Sequence, residues 1–213
     1  MNKFVITIGR QLGSGGKEIG AELSRRLGIP CYDRELIQMA SQESGLGSDF
    51  FDRADEKKFR FINIEEGYAH NYLGGEYLFK IQSDVIRHIA NEQSSIFVGR
   101  CADYILREHP HLISVFISAR LQERIQRICD HHRLPAAKAK ELIERADKKR
   151  AAYYNYYTNK MWGVAASYHL CINSSVLGIA GTAGYIQRFV EEAVQDFSTL
   201  NHQIINNNRI HNL

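Results

Sequence analysis

The 213-residue sequence contains few cysteines, and they lie far apart. Cys31, Cys101, Cys129 and Cys171 form no CxxC pair and have no metal-ligand spacing, so they give no basis for a disulfide framework or a zinc site. We predict that all four are buried free thiols in a reducing compartment. No apolar run is long enough to span a bilayer, and the N-terminus enters a strand without a signal-peptide core. We therefore expect a cytoplasmic protein with no membrane partner.

The sequence also has little net charge. Its 27 basic and 24 acidic side chains give +3, so a general nucleic-acid partner is not expected. RNA binding by the tyrosine-rich and basic segment is a weaker alternative, because the positive charge does not continue along a whole face. With 44% hydrophobic residues the chain can form one good core. We predict one domain over residues 1–200 and a flexible tail over residues 201–213, and a homodimer is left open.

The most informative segment is a glycine-rich turn after the first apolar run. Residues 3–8 have the β-branched composition of a buried parallel strand, and apolar residues at 19, 23 and 27 then recur at helical spacing. In a strand–glycine loop–helix unit, backbone N–H groups and the positive end of the helix dipole can surround an anion. We predict a phosphate-binding turn formed by Gly13, Ser14, Gly15, Gly16, Lys17, Glu18 and Ile19.

This turn departs from the standard P-loop, in which Gly-Lys is followed by a hydroxyl residue that binds magnesium. Here Gly16 and Lys17 are followed by Glu18. If Gly13-Ser14-Gly15 is instead laid on the Gly-x-Gly of a nucleoside monophosphate kinase, Gly16 takes the place of the lysine and Lys17 comes one residue late. In both alignments, the position of the magnesium-binding hydroxyl residue is occupied by a residue without a hydroxyl group. A glycine-rich turn without a ligand is the alternative.

Charged residues follow two other predicted strands. Asp33 and Arg34 end the second strand, and Arg100 follows the strand at residues 94–99. Because open α/β sheets bind ligands at the carboxyl ends of their strands, we expect these residues to lie at the site. We expect Arg100 to bind a substrate phosphate. Asp33 could instead be a helix cap. Arg87, on a predicted helix, is either a solvated arginine or a substrate anchor.

A basic region follows the fourth predicted strand, at residues 112–118. The helix over residues 121–132 carries Arg124 and Arg127 as i,i+3 neighbours, which form either a solvated face or a phosphate clamp. A second charged helix is predicted over residues 136–152. The aromatic segment at residues 153–163 then follows, as a packing cluster or as a contact for a base or ribose.

Four stretches together resemble a known family. They are residues 8–19, residues 32–36, residues 98–103, and residues 149–154 continuing through Trp162-Gly163 to residues 172–175. They are similar to bacterial cytidylate kinases and, more closely, to the divergent cytidylate kinase-like branch, over about residues 3–197. The resemblance implies an α/β protein with the three-layer α/β/α P-loop kinase fold and a five-stranded parallel sheet. It also implies a helical monophosphate-binding insertion, assigned to residues 36–80, and a helical lid, assigned to residues 129–165.

The resemblance further implies ATP-dependent phosphoryl transfer to a nucleoside monophosphate, first CMP or dCMP, or to a related small acceptor. The cofactors would be ATP and Mg²⁺ held mainly by the phosphates, and no residue is assigned as a metal ligand. Gly99-Arg100 looks like the family's Gly-Arg-Asp segment, with Cys101 in place of its aspartate. Lys149 and Arg150 are similar to the lid's basic residues. The implied catalytic residues are Lys17, Arg100, Arg124, Arg127 and Arg150, and the implied acceptor-binding residues are Asp33, Arg34, Arg87, Arg100 and Asp103.

A second function remains open from the residues themselves. Glu18 places a carboxylate beside the predicted anion site, which opposes triphosphate binding unless a metal intervenes. The alternative is therefore a non-catalytic sensor or assembly module that keeps the kinase fold and binds a nucleotide or phosphate. The many cations at the predicted sheet edge favour the enzyme.

Overall fold

A computed structural model of the chain describes residues 3–33 and 72–210, with side chains over 3–33 and 76–197. Arg34 and most of the predicted insertion lie outside the described residues. In chain order the elements are β1 Val5–Arg10, α1 Gly16–Leu27, β2 Cys31–Tyr32, α2 Tyr72–Glu92, β3 Ser95–Val98, α3 Ala102–Ile105, β4 Leu112–Ser118, α4 Leu121–His132, α5 Ala136–Thr158, a 3-10 turn Ala165–Ser167, β5 Leu170–Asn173 and α6 Ser174–Ile210.

The described strands form one five-stranded sheet in the order β2-β3-β1-β4-β5. Every pair is parallel, and β1 is hydrogen-bonded to β3 on one side and β4 on the other. A central parallel strand is covered on both faces, which accounts for the continuous apolar composition of β1. The predicted five-stranded parallel sheet is confirmed.

Helices cover both faces of this sheet, so the predicted three-layer architecture is also confirmed. Ile6 and Ile8 of β1 pack with α1 and α6 on one face, while Val5 packs with α2 and α3 on the other. Fully burying a side chain of this size contributes about 1.5–3 kcal/mol. The alternation along β1 therefore helps to stabilise both helical layers at once. Within the described residues, no helix combines the length and the apolarity needed to cross a membrane.

The topology brings several loops to one edge of the sheet. Because all strands run in the same direction, their carboxyl ends lie together. Four parts of the chain therefore meet at this edge: the glycine loop after β1, Asp33 after β2, the turn at residues 99–101 after β3, and the start of α6 after β5. The reversal of strand order on either side of β1 opens a crevice there.

Helix α5 is longer than the sequence analysis predicts. It continues from Ala136 through the aromatic segment to Thr158, and Asn159 ends it in a left-handed conformation with its N–H bonded to the carbonyl of Asn155. The predicted end at residue 152 is wrong because no glycine or proline interrupts residues 136–158. An aromatic side chain of this helix packs against α2: Tyr157 stacks on Phe79 with ring centroids 4.0 Å apart.

Two further expectations concern the C-terminal residues and the cysteines. The backbone of α6 is helical as far as Ile210, interrupted only at Gly178 with φ 63° and ψ −174°, so most of the predicted tail has helical backbone. No glycine or proline after residue 184 would end the helix. All four cysteines are free as predicted, but only Cys101 is buried, and Cys171 is exposed. Cys171 lies on β5, at the edge of the sheet, where one face of the strand is left uncovered.

Candidate active site

The glycine loop directs open backbone N–H groups toward the sheet edge. Gly13 and Gly15 have φ angles of 76° and 79°, in the left-handed region that favours glycine, and α1 begins at Gly16. Within the described residues, no acceptor meets the N–H groups of Gly13, Gly15 or Gly16. Unsatisfied N–H groups at a helix N-terminus form a site for a phosphate or another anion.

The carbonyl groups of the same loop are bonded to the protein. The donors are two hydroxyl groups and three arginines that come from the loop itself, from α4, from α5 and from the start of α6. Ser14 Oγ donates to Gln11 O at 2.8 Å, Arg124 Nε to Leu12 O at 2.7 Å, Arg127 Nη1 to Gly13 O, Ser174 Oγ to Ser14 O at 2.6 Å and Arg150 Nη1 to Arg10 O at 3.1 Å. With the carbonyls held in this way, the loop is preorganised for an anion.

Arg124 joins the loop to α5 as well. Its side chain forms an ion pair with Asp147, and the other carboxylate oxygen of Asp147 accepts the N–H of Leu12 at 2.8 Å. Arg124 is only 6% exposed, so the solvated-face alternative is wrong for this residue. Arg124 and Arg127 act on the loop in the described structure. Their predicted contact with a nucleotide stays a prediction.

A pocket of about 60 Å³ lies at the carboxyl ends of β1 and β3. It has room for roughly two waters or a small polar group. The predicted site residues Arg100, Asp103 and Arg150 meet there, and Arg10 is present although the sequence analysis did not assign it. The lining residues are Gly9, Arg10, Gly99, Arg100, Asp103, Arg150, Tyr153, Tyr154, Trp162 and Tyr168.

Positive charge dominates one side of this pocket. Burial, followed by the nearby charges of Arg150 and Arg100, lowers the pKa of Arg10 to about 9. An anion bound among these guanidinium groups would stabilise their charged forms. Arg10 is the last residue of β1, and Arg100 comes two residues after the end of β3, so the rule that selects a cation at the end of a strand could have found Arg10 from the sequence.

The turn after β3 has an unusual backbone. Gly99, Arg100 and Cys101 have φ angles of 81°, 61° and 54°. Left-handed conformations at two successive non-glycine residues are uncommon and cost energy, and such strain is concentrated at functional sites. The turn is anchored because the N–H of Gly99 donates to Ile8 O at 2.9 Å. It places Arg100 at the sheet edge beside the end of β1.

Asp103 supplies a partly buried carboxyl group to the same pocket. Tyr154 Oη donates to its Oδ2 at 2.7 Å. Burial raises the pKa of Asp103, while the hydrogen bond from Tyr154 opposes that increase. Burial, followed by the charge of Asp103, raises the pKa of Tyr154, which keeps its hydroxyl protonated as a donor. The aromatic segment therefore has two roles, in packing and in lining the pocket.

Lys17 and Asp33 form an ion pair at the end of β2. Lys17 Nζ lies 2.7 Å from Asp33 Oδ2, with the lysine side chain 68% exposed and the aspartate 16% exposed. Lys17, the predicted mobile cation of the glycine loop, thus contacts Asp33, which is a predicted acceptor-binding residue. Both lie beside the pocket edge formed by β1 and β3, because β2 is the neighbour of β3.

Arg87 and Glu18 are two of the predicted site residues that lie apart from the pocket lining. Arg87 is on an exposed face of α2 and pairs with Asp84 at 3.3 Å, which favours the solvated alternative; its role as a substrate anchor stays a prediction. Glu18 is on the first turn of α1, with its carboxylate 3.6 Å from Nε2 of His131. Among the residues described, no group of three or more His, Cys, Asp or Glu side chains is arranged to hold a metal ion.

Comparison with protein families identifies the group to which this chain is related. The model of the cytidylate kinase-like family matches residues 5–176, which include every strand of the sheet and the whole pocket lining. The chain belongs to the cytidylate kinase-like family. Membership of this kinase-like family supports nucleotide-dependent phosphoryl transfer as the general activity. The search of curated proteins finds no match.

Solved structures support the same fold. The chain is similar to an uncharacterized protein from Eubacterium ventriosum, with 28% identity, a TM-score of 0.71, and coverage of 90% of this chain and 99% of that one. It is also similar in fold to the shikimate kinase of Bacteroides thetaiotaomicron, with 13% identity, a TM-score of 0.51, and coverage of 88% and 98%. A shikimate kinase from Acinetobacter baumannii, in complex with shikimate, has 12% identity, a TM-score of 0.51, and coverage of 90% and 94%.

Proposed function

We propose that this member of the cytidylate kinase-like family transfers a phosphoryl group from ATP to a nucleoside monophosphate, with CMP and dCMP as the first acceptors to test. One observation carries the proposal. The open N–H groups of the glycine loop and the guanidinium groups of Arg10, Arg100 and Arg150 lie at the same sheet edge. Such a set neutralises the charge of transferring phosphates, which is the main requirement of this reaction.

The donor would bind along the glycine loop and the start of α1. Backbone N–H groups would donate hydrogen bonds to its phosphate oxygens, and the arginines that bind the loop carbonyls would keep those N–H groups in place. Lys17, the predicted catalytic lysine, lies on the first turn of α1 and is held at the end of β2 by Asp33. From there its flexible stem can follow a phosphate that moves between donor and acceptor.

The residues around the loop also fit a magnesium ion held mainly by phosphates. Mg²⁺ prefers oxygen ligands, keeps several waters and needs only one or two protein carboxylates. Asp33 and Glu18 provide carboxylates at the end of β2 and on the first turn of α1. When bound with ATP, the ion would neutralise charge on the phosphates.

The acceptor would occupy the small pocket and the crevice that leads from it. Arg100 is suited to its phosphate, because a guanidinium can donate to two oxygens at once. Asp103 can accept a hydrogen bond from a hydroxyl or amino group, and Tyr154 fixes its orientation. Tyr153 and Trp162 provide aromatic surface for a ring. This arrangement supports an acceptor that carries both a phosphate and a hydrogen-bonding ring or sugar.

A coupled assay of ADP release tests this function. ATP and magnesium are supplied with a panel of nucleoside monophosphates, and shikimate is added as a hydroxyl acceptor without a phosphate. A nucleotide-binding titration is run on the same preparation. We expect ADP release that depends on CMP or dCMP. ADP release that occurs with shikimate but with none of the nucleoside monophosphates would contradict the proposed class of acceptor.

The alternative, a nucleotide sensor without catalysis, is favoured by one feature. If Gly16-Lys17 is laid on the Gly-Lys of a standard P-loop, the Glu18 carboxylate, 3.6 Å from His131, takes the place of the magnesium hydroxyl. A negative charge there weakens triphosphate binding unless a metal is present. Nucleotide binding without turnover on any acceptor would support this alternative and contradict the kinase.

A further inference from the structure

Position 16 of the glycine loop has no side chain, and Arg10 occupies the space that one would need. A Cβ built on Gly16 would lie 2.6 Å from Cβ and 2.7 Å from Cγ of Arg10. The backbone of Gly16 is not in the left-handed region, so its conformation would accept a larger residue. The Arg10 side chain is therefore what requires glycine at this position.

A second glycine makes room for the other end of the same side chain. A Cβ on Gly99 would overlap with Nη1 of Arg10. Gly16 follows β1 and Gly99 follows β3, so two separate loops leave space for one arginine. This packing holds the Arg10 guanidinium at the carboxyl ends of β1 and β3, among the residues that line the pocket.

The charges around Arg10 indicate what it binds. Arg100 and Arg150 are close enough to lower its pKa, and Asp33 and Asp147 act in the opposite direction. In the part of the chain that the structure describes, no hydrogen bond or ion pair engages the Arg10 guanidinium. A bound anion stabilises the charged form of a poorly solvated cation that lies between other cations. The two-pronged guanidinium group can donate to two phosphate oxygens at once.

We propose that Arg10 is the side chain that binds the donor's terminal phosphates, in the role that the standard P-loop gives to a lysine at the position of Gly16. For the identity of the donor this inference rests on the proposed function; the ligand chemistry itself is that of a polyphosphate. Lys17 comes one residue after that position and is paired with Asp33 at 2.7 Å. Arg10 would thus supply from the end of β1 a charge that the standard P-loop carries within the loop, while Lys17 remains beside Asp33.

An exchange of the two residues tests the assignment. Pyrophosphate is titrated calorimetrically into the wild-type chain, Arg10→Gly, Gly16→Lys and the exchange variant Arg10→Gly/Gly16→Lys. We expect Arg10→Gly to bind at least about tenfold more weakly, as for the loss of a hydrogen-bonded charge. Gly16→Lys should lower the melting temperature, because the new side chain overlaps with Arg10. The exchange variant should regain most of the affinity.

Two controls separate binding from folding. Arg107→Ala removes an exposed arginine that lies over the Tyr104 ring and pairs with Glu108, so its affinity should equal that of the wild type. Arg10→Gln keeps most of the stem and removes the charge, and it should lose affinity as Arg10→Gly does. Melting temperatures establish that the compared variants are folded. If Arg10→Gly does not fold, Arg10→Gln alone decides the loss of binding.

The outcomes distinguish this inference from the proposed function. Wild-type affinity in a folded Arg10→Gly or Arg10→Gln variant overturns the role of Arg10, even if the chain is an active kinase. An exchange variant that folds but binds no better than Arg10→Gly, or a wild-type chain that does not bind pyrophosphate, also overturns it. Binding that depends on Arg10 without phosphoryl transfer to any acceptor would support the inference while contradicting the proposed function.

Discussion

At the level of single residues, Asp103 makes stability depend on pH. Burial raises its pKa in the folded chain above the ordinary value of 3.8. The folded state therefore holds the proton more tightly than the unfolded state, and the free energy of unfolding decreases as pH rises from about 3.8 toward the folded pKa. Asparagine at this position has no such titration and can still accept the Tyr154 hydroxyl.

We expect the stability of Asp103→Asn relative to wild type to increase as pH is raised from about 4 toward neutrality. Urea denaturation at several pH values measures the difference. Asp84→Asn, which changes an exposed carboxylate outside the pocket, is the control for the chemical replacement itself. A difference for Asp103→Asn that is flat or decreases over this range would show that burial does not raise the pKa.

Lys17 is the second prediction at this scale. In the proposed function Lys17 donates to the transferring phosphate, and loss of one such donor costs about 100-fold or more in turnover. We expect Lys17→Ala to lower kcat by this amount in the ADP-release assay. Lys140→Ala removes another exposed lysine, 3.9 Å from Glu144, and should leave kcat unchanged. An unchanged kcat in Lys17→Ala would remove the assignment.

The sequence predicts some residues of the site better than others. Gly13 and Gly15 follow from local rules, because left-handed turns favour glycine. Arg100 follows from its place after a strand. The partnership of Arg10 with Gly16 and Gly99 is different, since it depends on side-chain packing between two loops that are distant in the chain. No local pattern carries that information.

At the level of elements, Asp147 joins α5 to the glycine loop. It pairs with the buried Arg124 and accepts the N–H of Leu12. Removing one partner of a buried ion pair leaves the other charge uncompensated and costs about 3–5 kcal/mol. We expect Asp147→Ala to lower the free energy of unfolding by this amount, measured by urea denaturation.

A matched control distinguishes this contact from surface ion pairs in general. Asp84→Ala breaks an i,i+3 pair in which both side chains are about half exposed, and it should cost no more than about 1 kcal/mol. Equal effects of the two substitutions would contradict the proposed role of Asp147 in joining α5 to the loop. The contact could not be predicted from sequence, because Asp147 is one of many charges on α5 and its partners lie on other elements.

Element boundaries were predictable where periodicity and breakers agreed. The bounds of β4 and α4, Leu112–Ser118 and Leu121–His132, coincide with the sequence prediction. In α5 the change from charged to aromatic residues suggested a boundary, but tertiary packing continues the helix across it. Tyr157 stacks on Phe79, and Tyr154 bonds Asp103. A change of composition alone is therefore a weak indicator of a helix end.

At the level of the whole molecule, nucleotide binding should stabilise the fold by mass action. A ligand at 100 times its Kd raises the free energy of unfolding by about 2.7 kcal/mol. For a chain of this size, each kcal/mol corresponds to a rise of roughly 2–4 °C in Tm. We expect Mg-ATP at that concentration to raise Tm by several degrees. Adenosine, which lacks phosphates, should give a much smaller shift; equal shifts would contradict binding through the phosphates.

The sequence was sufficient for the architecture and for the sheet edge at which the candidate site lies. The composition of the strands, the glycines that follow them and the family resemblance all indicated a parallel sheet that binds its ligands at the carboxyl ends of its strands. Acceptor specificity is different in kind. In the proposed function it depends on hydrogen bonds made by the predicted insertion, and the residues from Arg34 through most of that insertion lie outside the described part of the chain.

The most direct test of the central claim is ³¹P NMR of the purified protein with ATP, magnesium and CMP, repeated with dCMP. It identifies the product itself, whereas ADP release also reports hydrolysis. We predict that CDP or dCDP appears in amounts equal to ADP, with no excess of orthophosphate. ATP that stays intact with every acceptor, or that yields only ADP and orthophosphate, would contradict phosphoryl transfer to a cytidine nucleotide.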